Sequence, residues 1–292
     1  MINNDLSIVL ITLNEAHNLE RFFKSINGWV RNIFVIDSYS SDSTIDICLK
    51  FGAKVYQRRF DNFGNQWNAA IKIPEIKTKW VMKLDPDEIV TENLKKNINS
   101  KLRNSEDGTD GFYLTRKLFF FNKMLPVEQK HLRIWRNGKC LFTNSLVNEH
   151  ATVIGETSSI KGYFEHHDSP NLEHWFSKQN KYTTAEATSF VKEMELAIKP
   201  NIFGNSTERR MLIKKYFFRF PFRYIILFLY HYLFLRSFIS GKEGYYWSKL
   251  RTNVYQMIEY KIYEMKKSKI SSYPITQNSI GSKDNRCIQI QD

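Results

Sequence analysis

The stretch Lys79–Val90, KWVMKLDPDEIV, joins an apolar run to a cluster of acidic residues. The apolar part has the character of a buried strand, and Asp85, Asp87 and Glu88 follow it at once. Buried charge is costly unless it is paired or bound to a metal. An extended chain points the two aspartates to the same side, and carboxylate oxygens suit Mg²⁺ or Mn²⁺. The pattern predicts either a divalent-cation site or a solvated turn at the end of a strand.

Strand-like and helix-like patterns alternate through the N-terminal third of the chain. Apolar runs predict strands at 6–12, 32–37, 53–58 and 80–85. Helical spacing predicts helices at 15–26, 44–51 and 65–73. This alternation predicts an α/β fold with a mostly parallel, doubly wound sheet. Ligands of such sheets bind beyond the carboxyl ends of the strands, so Asn14–Glu15, Asp37–Ser38 and Asp85–Asp87 should converge on one edge.

The composition is that of a globular protein, with 42% hydrophobic and 15% aromatic residues in 292. The three cysteines lie outside any C-x-x-C pattern, which disfavours a zinc site or a disulfide framework and favours a reducing compartment. Periodicity and composition divide the chain into an α/β domain over 1–204, a basic aromatic helical region over 205–270 and a flexible tail over 271–292. The middle part holds 14 Lys and Arg against 4 Asp and Glu, so it predicts an anionic partner.

The segment 214–242 carries much of this charge excess together with an apolar and aromatic run, Tyr224–Leu235. As a helix the run would be about 18 Å long at 1.5 Å per residue, whereas a bilayer core needs about 20 residues. We therefore expect the segment to lie at an anionic membrane surface rather than to cross the membrane. A core helix is the alternative. Nucleic acid is disfavoured as a partner, because the basic residues alternate with bulky aliphatic ones.

Four stretches, taken in order, resemble family-2 glycosyltransferases of the GT-A fold. They are SIVLITLNEAHNLERFFKSI, NIFVIDSYSSDSTIDICLKFGAKVY, FGNQWNAAI and WVMKLDPDEIV. More narrowly, the chain resembles the subgroup that adds a sugar, often glucose, in lipopolysaccharide core synthesis. The resemblance implies inverting, metal-dependent transfer from a UDP-sugar to a lipopolysaccharide-core or lipid-linked glycan acceptor. It further implies a peripheral protein on the cytoplasmic face of the bacterial inner membrane.

The same resemblance assigns the donor site. Asp37 is expected to contact uracil, and Asp85 and Asp87 are expected to bind Mg²⁺ or Mn²⁺, with Asp87 as the direct ligand. The other nucleotide or nucleotide-sugar contacts that it implies are Thr12, Asn14, Glu15, Ser38, Gln66 and Asn68. Two structural alternatives stay open, because Asn14 is also a good helix-capping residue and Asp37 can close a turn through its own backbone.

The catalytic base is expected in the stretch SLVNEH, residues 145–150. Inverting transfer needs a group that takes the proton from the acceptor hydroxyl. The resemblance assigns this role to Glu149, and the neighbouring His150 is the alternative on chemical grounds, or a contact to the acceptor.

Two further contacts to phosphate or acceptor follow from the resemblance, Arg133 and His166. The stretch around His166 also contains His167 and Asp168, which together suggest a metal cluster. Adjacent residues of a strand point to opposite faces, so the two histidines should not share one metal ion.

Two other classes of function compete with transfer. A membrane-associated nucleotide-sugar binding protein would keep the donor-site residues and lack a working base. A nucleotidyltransferase would need a glycine-rich phosphate loop after the first strand, and ITLNEAHN has none.

Overall fold

The computed structural model describes residues 2–104, 108–143, 150–192, 203, 216–270 and 281–290. The strands are β1 (Asn3–Thr12), β2 (Val30–Asp37), β3 (Lys54–Gln57), β4 (Trp80–Lys83), β5 (Glu88–Val90), β6 (Thr109–Phe120), β7 (Lys123–Arg136), β8 (Cys140–Phe142), β9 (Ala151–Val153), β10 (Glu156–His167) and β11 (Ile288–Gln289). The α-helices are α1 (Ala16–Ile26), α2 (Thr44–Lys50), α3 (Phe63–Ile71), α4 (Glu92–Arg103), α5 (Leu172–Val191), α6 (Arg223–Leu229) and α7 (Lys242–Ser268). Shorter helical turns are Phe217–Arg219, Tyr230–Phe234 and Ser237–Ser240.

The larger sheet in the described chain has nine strands in the order β11-β3-β2-β1-β4-β7-β6-β10-β5. The block from β11 to β4 is parallel throughout, whereas β7 pairs with β4 and β5 pairs with β10 in antiparallel fashion. The smaller sheet is the antiparallel pair of β8 and β9. The predicted α/β fold with a mostly parallel central sheet is therefore confirmed.

Apolar side chains on both faces of β1 hold helices against the sheet. Ile8 and Leu10 belong to one buried cluster, to which α1 contributes Phe22. Val9, which points the other way, belongs to a second cluster with Trp67 of α3. Burial of both faces explains why the parallel strands are nearly continuous apolar runs in the sequence.

The described chain forms two compact units. Unit 1 comprises Met1–Phe119, Glu128–Asp168 and Gln277–Asp292, and unit 2 comprises Phe120–Val127 and Ser169–Thr276. This division differs from the predicted boundary after residue 204, because α5 belongs to unit 2. The physical reason is that Trp175 and Ala187 of α5 pack in one buried cluster with residues of α7 such as Ile258.

Part of the predicted flexible tail, residues 281–290, is ordered on the sheet of unit 1. β11 lies parallel to β3, and Cys287 is buried in the same apolar cluster as Ile8. A few apolar contacts thus fix a segment whose polar composition indicated a loose chain. Among the described residues, no helix combines the length and the apolarity needed to cross a membrane.

Candidate functional site

Asp37, at the end of β2, braces the loops that follow the first two strands. Thr12 donates a hydrogen bond from Oγ1 to Asp37 Oδ1 at 3.0 Å, and the Ser40 amide donates to Oδ2 at 2.8 Å. Burial raises the pKa of Asp37, while hydrogen bonds from Ser40 and Thr12 and the nearby side chain of Gln57 act in the opposite direction. The carboxylate is fully buried, so it performs the turn-closing role that the sequence left open. Its expected contact with uracil stays a prediction.

Asn14 joins the loop after β1 to the loop after β2. Its backbone is left-handed, with φ of 57°, a conformation that asparagine tolerates better than most residues. The Asn14 amide donates to Ser40 Oγ at 2.8 Å, and its side-chain oxygen accepts from the Ser41 amide at 2.8 Å. The Glu15 amide donates to Thr44 Oγ1 at 2.8 Å. The predicted contacts Thr12, Asn14, Glu15 and Asp37 therefore lie in one connected pair of loops.

Ser38 and Gln66 meet at the same edge of the sheet. Gln66 is buried and donates from Nε2 to Ser38 Oγ at 3.1 Å. Its other amide atom, Oε1, accepts from Arg58 Nη1 at 2.7 Å. Arg58 directly follows β3, and sequence analysis missed it. Its position after a parallel strand was the available signal.

Asn68 holds the backbone at the end of β8, and its expected contact with the nucleotide-sugar stays a prediction. Its Nδ2 donates to the carbonyl oxygen of Phe142 at 2.9 Å, and its Oδ1 accepts from the Phe142 amide at 2.9 Å. Both ends of the amide are thus used by the backbone at the end of β8. Asn68 fixes the point at which the chain enters residues 144–149.

A buried ion network holds the acidic turn that follows β4. Glu88 accepts the Asp85 amide at 3.0 Å, and Arg133 Nη2 donates to Glu88 Oε1 at 2.5 Å and to Asp85 Oδ2 at 3.1 Å. Arg133 is only 3% exposed. Arg133 thus braces the acidic turn from the interior, and its expected contact with phosphate or acceptor stays a prediction.

The charges of this network depend on one another. Burial works against the charge on Asp85, but Lys83 and Arg133 outweigh it, so the pKa of Asp85 is lowered. Burial raises the pKa of Glu88 to about 7, even though Arg133 opposes the rise. Loss of one partner from such a buried pair costs about 3–5 kcal/mol of stability, because the other charge is left uncompensated.

Asp87, His166 and Asp168 form a candidate metal centre. One potential ligand atom from each lies within 4.8 Å of the other two. His166 Nδ1 is 3.3 Å from Asp87 Oδ1, and His166 Nε2 is 3.8 Å from Asp168 Oδ1. The antiparallel pairing of β5 with β10 produces this arrangement, because it places His166 opposite Glu88. The cluster lies at the carboxyl edge of the sheet, beside the acidic turn.

The ligand types of this cluster fit a hard divalent cation. The two carboxylates suit Mn²⁺ or Mg²⁺, and the imidazole offers a third ligand atom. The buried His166 Nδ1 has no hydrogen bond of normal geometry, as expected of a ring nitrogen reserved for a ligand. Asp85, by contrast, is held by Arg133. Asp168 is the second carboxylate of this cluster, and the expected metal role of Asp85 stays a prediction.

His167 points away from the candidate metal centre, as the alternation along a strand predicts. Its ring stacks on Phe119 at a centroid distance of 4.6 Å, and its Nε2 is 2.9 Å from Glu165 Oε2. His166 therefore faces Asp87 and Asp168 without its neighbour.

The expected base, Glu149, lies outside the described residues, together with the rest of 144–149. The residues on either side of this segment, Thr143 and His150, are hydrogen-bonded to each other. The His150 amide donates to Thr143 Oγ1 at 2.9 Å, and the Thr143 amide donates to the His150 carbonyl oxygen at 3.0 Å. The two ends of the segment are thus fixed beside β8.

A match to a protein-family model assigns the chain to a family. The model described as "Glycosyl transferase family 2" matches residues 7–165, more than half of the 292 residues.

The chain belongs to glycosyl transferase family 2.

Curated relatives of this family 2 glycosyltransferase share the assignment at low identity. An uncharacterized glycosyltransferase of Rickettsia typhi is 22% identical over 202 residues, 64% of this chain and 68% of the relative. An uncharacterized glycosyltransferase of Rickettsia bellii is 22% identical over 237 residues, 74% of this chain and 79% of the relative. The predicted enzyme class is therefore confirmed, whereas the likeness to lipopolysaccharide core enzymes stays a prediction.

Solved structures resemble the family 2 glycosyltransferase in fold. Residues 1–349 of S. aureus TarS in complex with UDP-GlcNAc match 90% of this chain and 92% of that chain, at 12% identity and a TM-score of 0.45. A longer TarS chain is matched over 45% of its length. Glucosyl-3-phosphoglycerate synthase from Mycobacterium tuberculosis in complex with Mn²⁺ and UDP matches 40% of this chain and 44% of that chain, at 23% identity and a TM-score of 0.31.

Proposed function

We propose that this family 2 glycosyltransferase transfers a sugar such as glucose from a UDP-sugar to a hydroxyl group, with inversion at the anomeric carbon. The observation that carries the proposal is the cluster of Asp87, His166 and Asp168. It lies at the carboxyl edge of the sheet, where the loops of Asn14 and Asp37 also lie. A cation site next to a nucleotide-binding edge is what a nucleoside-diphosphate donor requires.

The chain's own residues would divide the work of transfer. Asp87, His166 and Asp168 would hold Mg²⁺ or Mn²⁺, which when bound stabilises negative charge on the departing diphosphate. Arg133 and Glu88 keep the turn that carries Asp87 in place. Glu149 would take the proton from the acceptor hydroxyl. The hydroxyl oxygen would form the new bond to the anomeric carbon as the bond between that carbon and UDP breaks.

Release of UDP from a panel of UDP-sugars tests this function. The protein is incubated with each donor and Mn²⁺ or Mg²⁺, and the released nucleoside diphosphate is measured. EDTA and a GDP-sugar, from which GDP would be released, are the controls. We expect metal-dependent UDP release from at least one UDP-sugar and none with EDTA. UDP-sugar binding without release, even with added glycolipid acceptors, would favour a nucleotide-sugar binding protein. The absence of both binding and release would contradict the proposal.

The proposed acceptor is a lipopolysaccharide-core or lipid-linked glycan at the cytoplasmic face of the inner membrane. Unit 2 offers an apolar face for membrane attachment, formed by α6 and the helical turn that follows it. No residue of α6 is buried, which argues against the core-helix alternative. Phe234 is 82% exposed. The apolar face consists of Ile225, Ile226, Leu229, Tyr230, Leu233 and Phe234.

Two exposed arginines, Arg219 and Arg236, flank the apolar face and suit anionic headgroups. Each basic residue near an anionic surface contributes about 1 kcal/mol. The apolar side chains would supply a part of the binding that salt does not screen. This combination favours peripheral attachment over insertion.

Replacing Arg219 and Arg236 with Gln should lower the affinity for anionic vesicles, measured by sedimentation at low salt, about thirtyfold. Two charges that contribute about 1 kcal/mol each are lost. UDP binding should not change. The matched control replaces Arg31 and Lys96, which are exposed residues of unit 1, with Gln. It should bind the vesicles like the wild type. A wild-type protein that ignores anionic vesicles even at low salt would exclude membrane attachment through this face.

A further inference from the structure

A row of polar side chains crosses the carboxyl ends of four parallel strands in unit 1. Thr12 of β1 is the strand partner of Asp37, Asp37 is the partner of Gln57, and Gln57 is the partner of Gln289 on β11. Side chains in register on parallel strands point to the same face. The row therefore connects the loops of the expected nucleotide site to the segment 281–290.

Gln57 is the link between that segment and Asp37. Its side chain is completely buried. Its Oε1 accepts from Gln289 Nε2 at 2.9 Å and from the Asp284 amide at 2.8 Å. These two donors fix the orientation of the Gln57 amide, so that its NH₂ group is left for Asp37. This group acts to lower the pKa of Asp37, against the larger effect of burial, which raises it. Nε2 makes no hydrogen bond of normal geometry.

The segment also touches the loop after β2 directly. The Gly281 amide donates to the Tyr39 carbonyl oxygen at 2.7 Å. A Cβ atom at Gly281 would lie 2.3 Å from the Ser40 carbonyl oxygen, so only glycine allows this approach. Tyr39 has a left-handed backbone with φ of 62°, and its hydroxyl donates to Gln289 Oε1 at 3.1 Å. The loop is thus held between β2 and residues 281–290.

Three further contacts keep residues 281–290 in place. Cys287 is buried in the core, and the Ile290 amide donates to the Gln57 carbonyl oxygen at 2.9 Å. Arg286 Nη1 lies 2.8 Å from Asp46 Oδ1 at α2. We call residues 281–290 the strap.

We propose that the strap is a positioning element of the donor site, acting through Gln57 and the Tyr39–Ser40 loop. The inference rests on the proposed function. Ser40 holds both Asn14 and Asp37, so a displaced strap would loosen the loops that are expected to bind the nucleotide. The acidic turn and the candidate metal centre are built from other elements. Loss of the strap should therefore weaken donor binding and spare the chemical step.

Gly281→Ala tests the strap in the full-length protein. We expect the KM for the UDP-sugar to rise about tenfold, with kcat at saturating donor within about twofold of the wild type. Ser282→Ala is the matched control. Ser282 is the exposed neighbour of Gly281, and its replacement by Ala adds no atom that could press on the loop. Thermal melting shows whether each variant is folded.

Gln289→Leu is the second variant, in case Gly281→Ala does not fold. It removes one of the two donors to Gln57 at an exposed position, so the KM should rise in the same direction by a smaller factor. A wild-type KM in folded Gly281→Ala, or a lower kcat with an unchanged KM, would overturn the role of the strap while the proposed function stands. A wild-type protein that neither binds nor hydrolyses any UDP-sugar would overturn the proposed function, and the strap's role with it.

Discussion

Asp87→Asn should abolish metal-dependent binding of UDP while the protein stays folded. Asp87 belongs to the candidate metal centre with His166 and Asp168. An amide oxygen carries no charge, and hard divalent cations prefer carboxylates. Loss of a residue that hydrogen-bonds to a metal ligand already lowers metal affinity about 10–100-fold, so loss of the ligand itself should lower it at least about a hundredfold. Calorimetric titration with UDP, in the presence and absence of Mn²⁺, measures this difference.

The comparison with two other Asn variants makes the result specific. Asp5→Asn changes an exposed aspartate of the same unit and should bind UDP like the wild type. Asp85→Asn should have a smaller effect than Asp87→Asn on metal dependence, because Arg133 already engages Asp85. If Asp87→Asn binds UDP with unchanged affinity at saturating Mn²⁺, the metal centre is wrongly assigned. If Asp85→Asn is the more damaging variant, the ligand role returns to Asp85.

Glu149→Gln should lower turnover by about 10²–10⁴-fold, which is the usual contribution of general acid–base catalysis. The substitution keeps the size and shape of the side chain but removes its capacity to accept a proton. Donor binding depends on the loops and the metal centre, so the dissociation constant for the UDP-sugar should stay near the wild-type value. Released UDP reports turnover even with water as acceptor, and calorimetry reports donor binding.

His150→Gln is the natural partner of this experiment. The two hydrogen bonds between His150 and Thr143 involve the backbone of His150, so they survive the substitution. We expect turnover close to that of the wild type. Should Glu149→Gln be fully active and His150→Gln be slow, the histidine is the base.

The sequence predicts the parallel half of the sheet well because its evidence is local. The strands that are buried on both faces are nearly continuous apolar runs, such as the part of β1 from Leu6 to Thr12. Each run ends in polar residues, so the edge at which Asp37 and Asp87 converge follows from the strand order alone. Local pattern was sufficient for the fold class and for most of the residues at this edge.

The contacts in the site that sequence reasoning did not foresee join segments that are distant in the chain. Arg133 lies 45 residues from Glu88, and its burial beneath the acidic turn follows from the pairing of β4 with β7. Asp168 reaches Asp87 only because β5 and β10 are paired. No periodicity along the chain carries this information. The stretch EHHD contained the signal for a metal cluster, but the choice of partner residues required the sheet.

The strap shows a different limit of sequence reasoning. Its composition is polar, and its order depends on Cys287, on Gly281 and on a two-residue strand. Composition predicts whether a segment can bury enough apolar surface to fold alone. It cannot show that an existing sheet offers such a segment an unpaired strand to join.

The order of strands also has a consequence for solubility. The two outermost strands of the large sheet are β11, with two residues, and β5, with three residues. A long exposed edge strand offers unpaired backbone groups to other molecules and promotes aggregation, and short edge strands are one way in which proteins avoid it. β11 covers β3, which would otherwise be the edge. Material in which β11 has detached should therefore be the form that self-associates first during concentration.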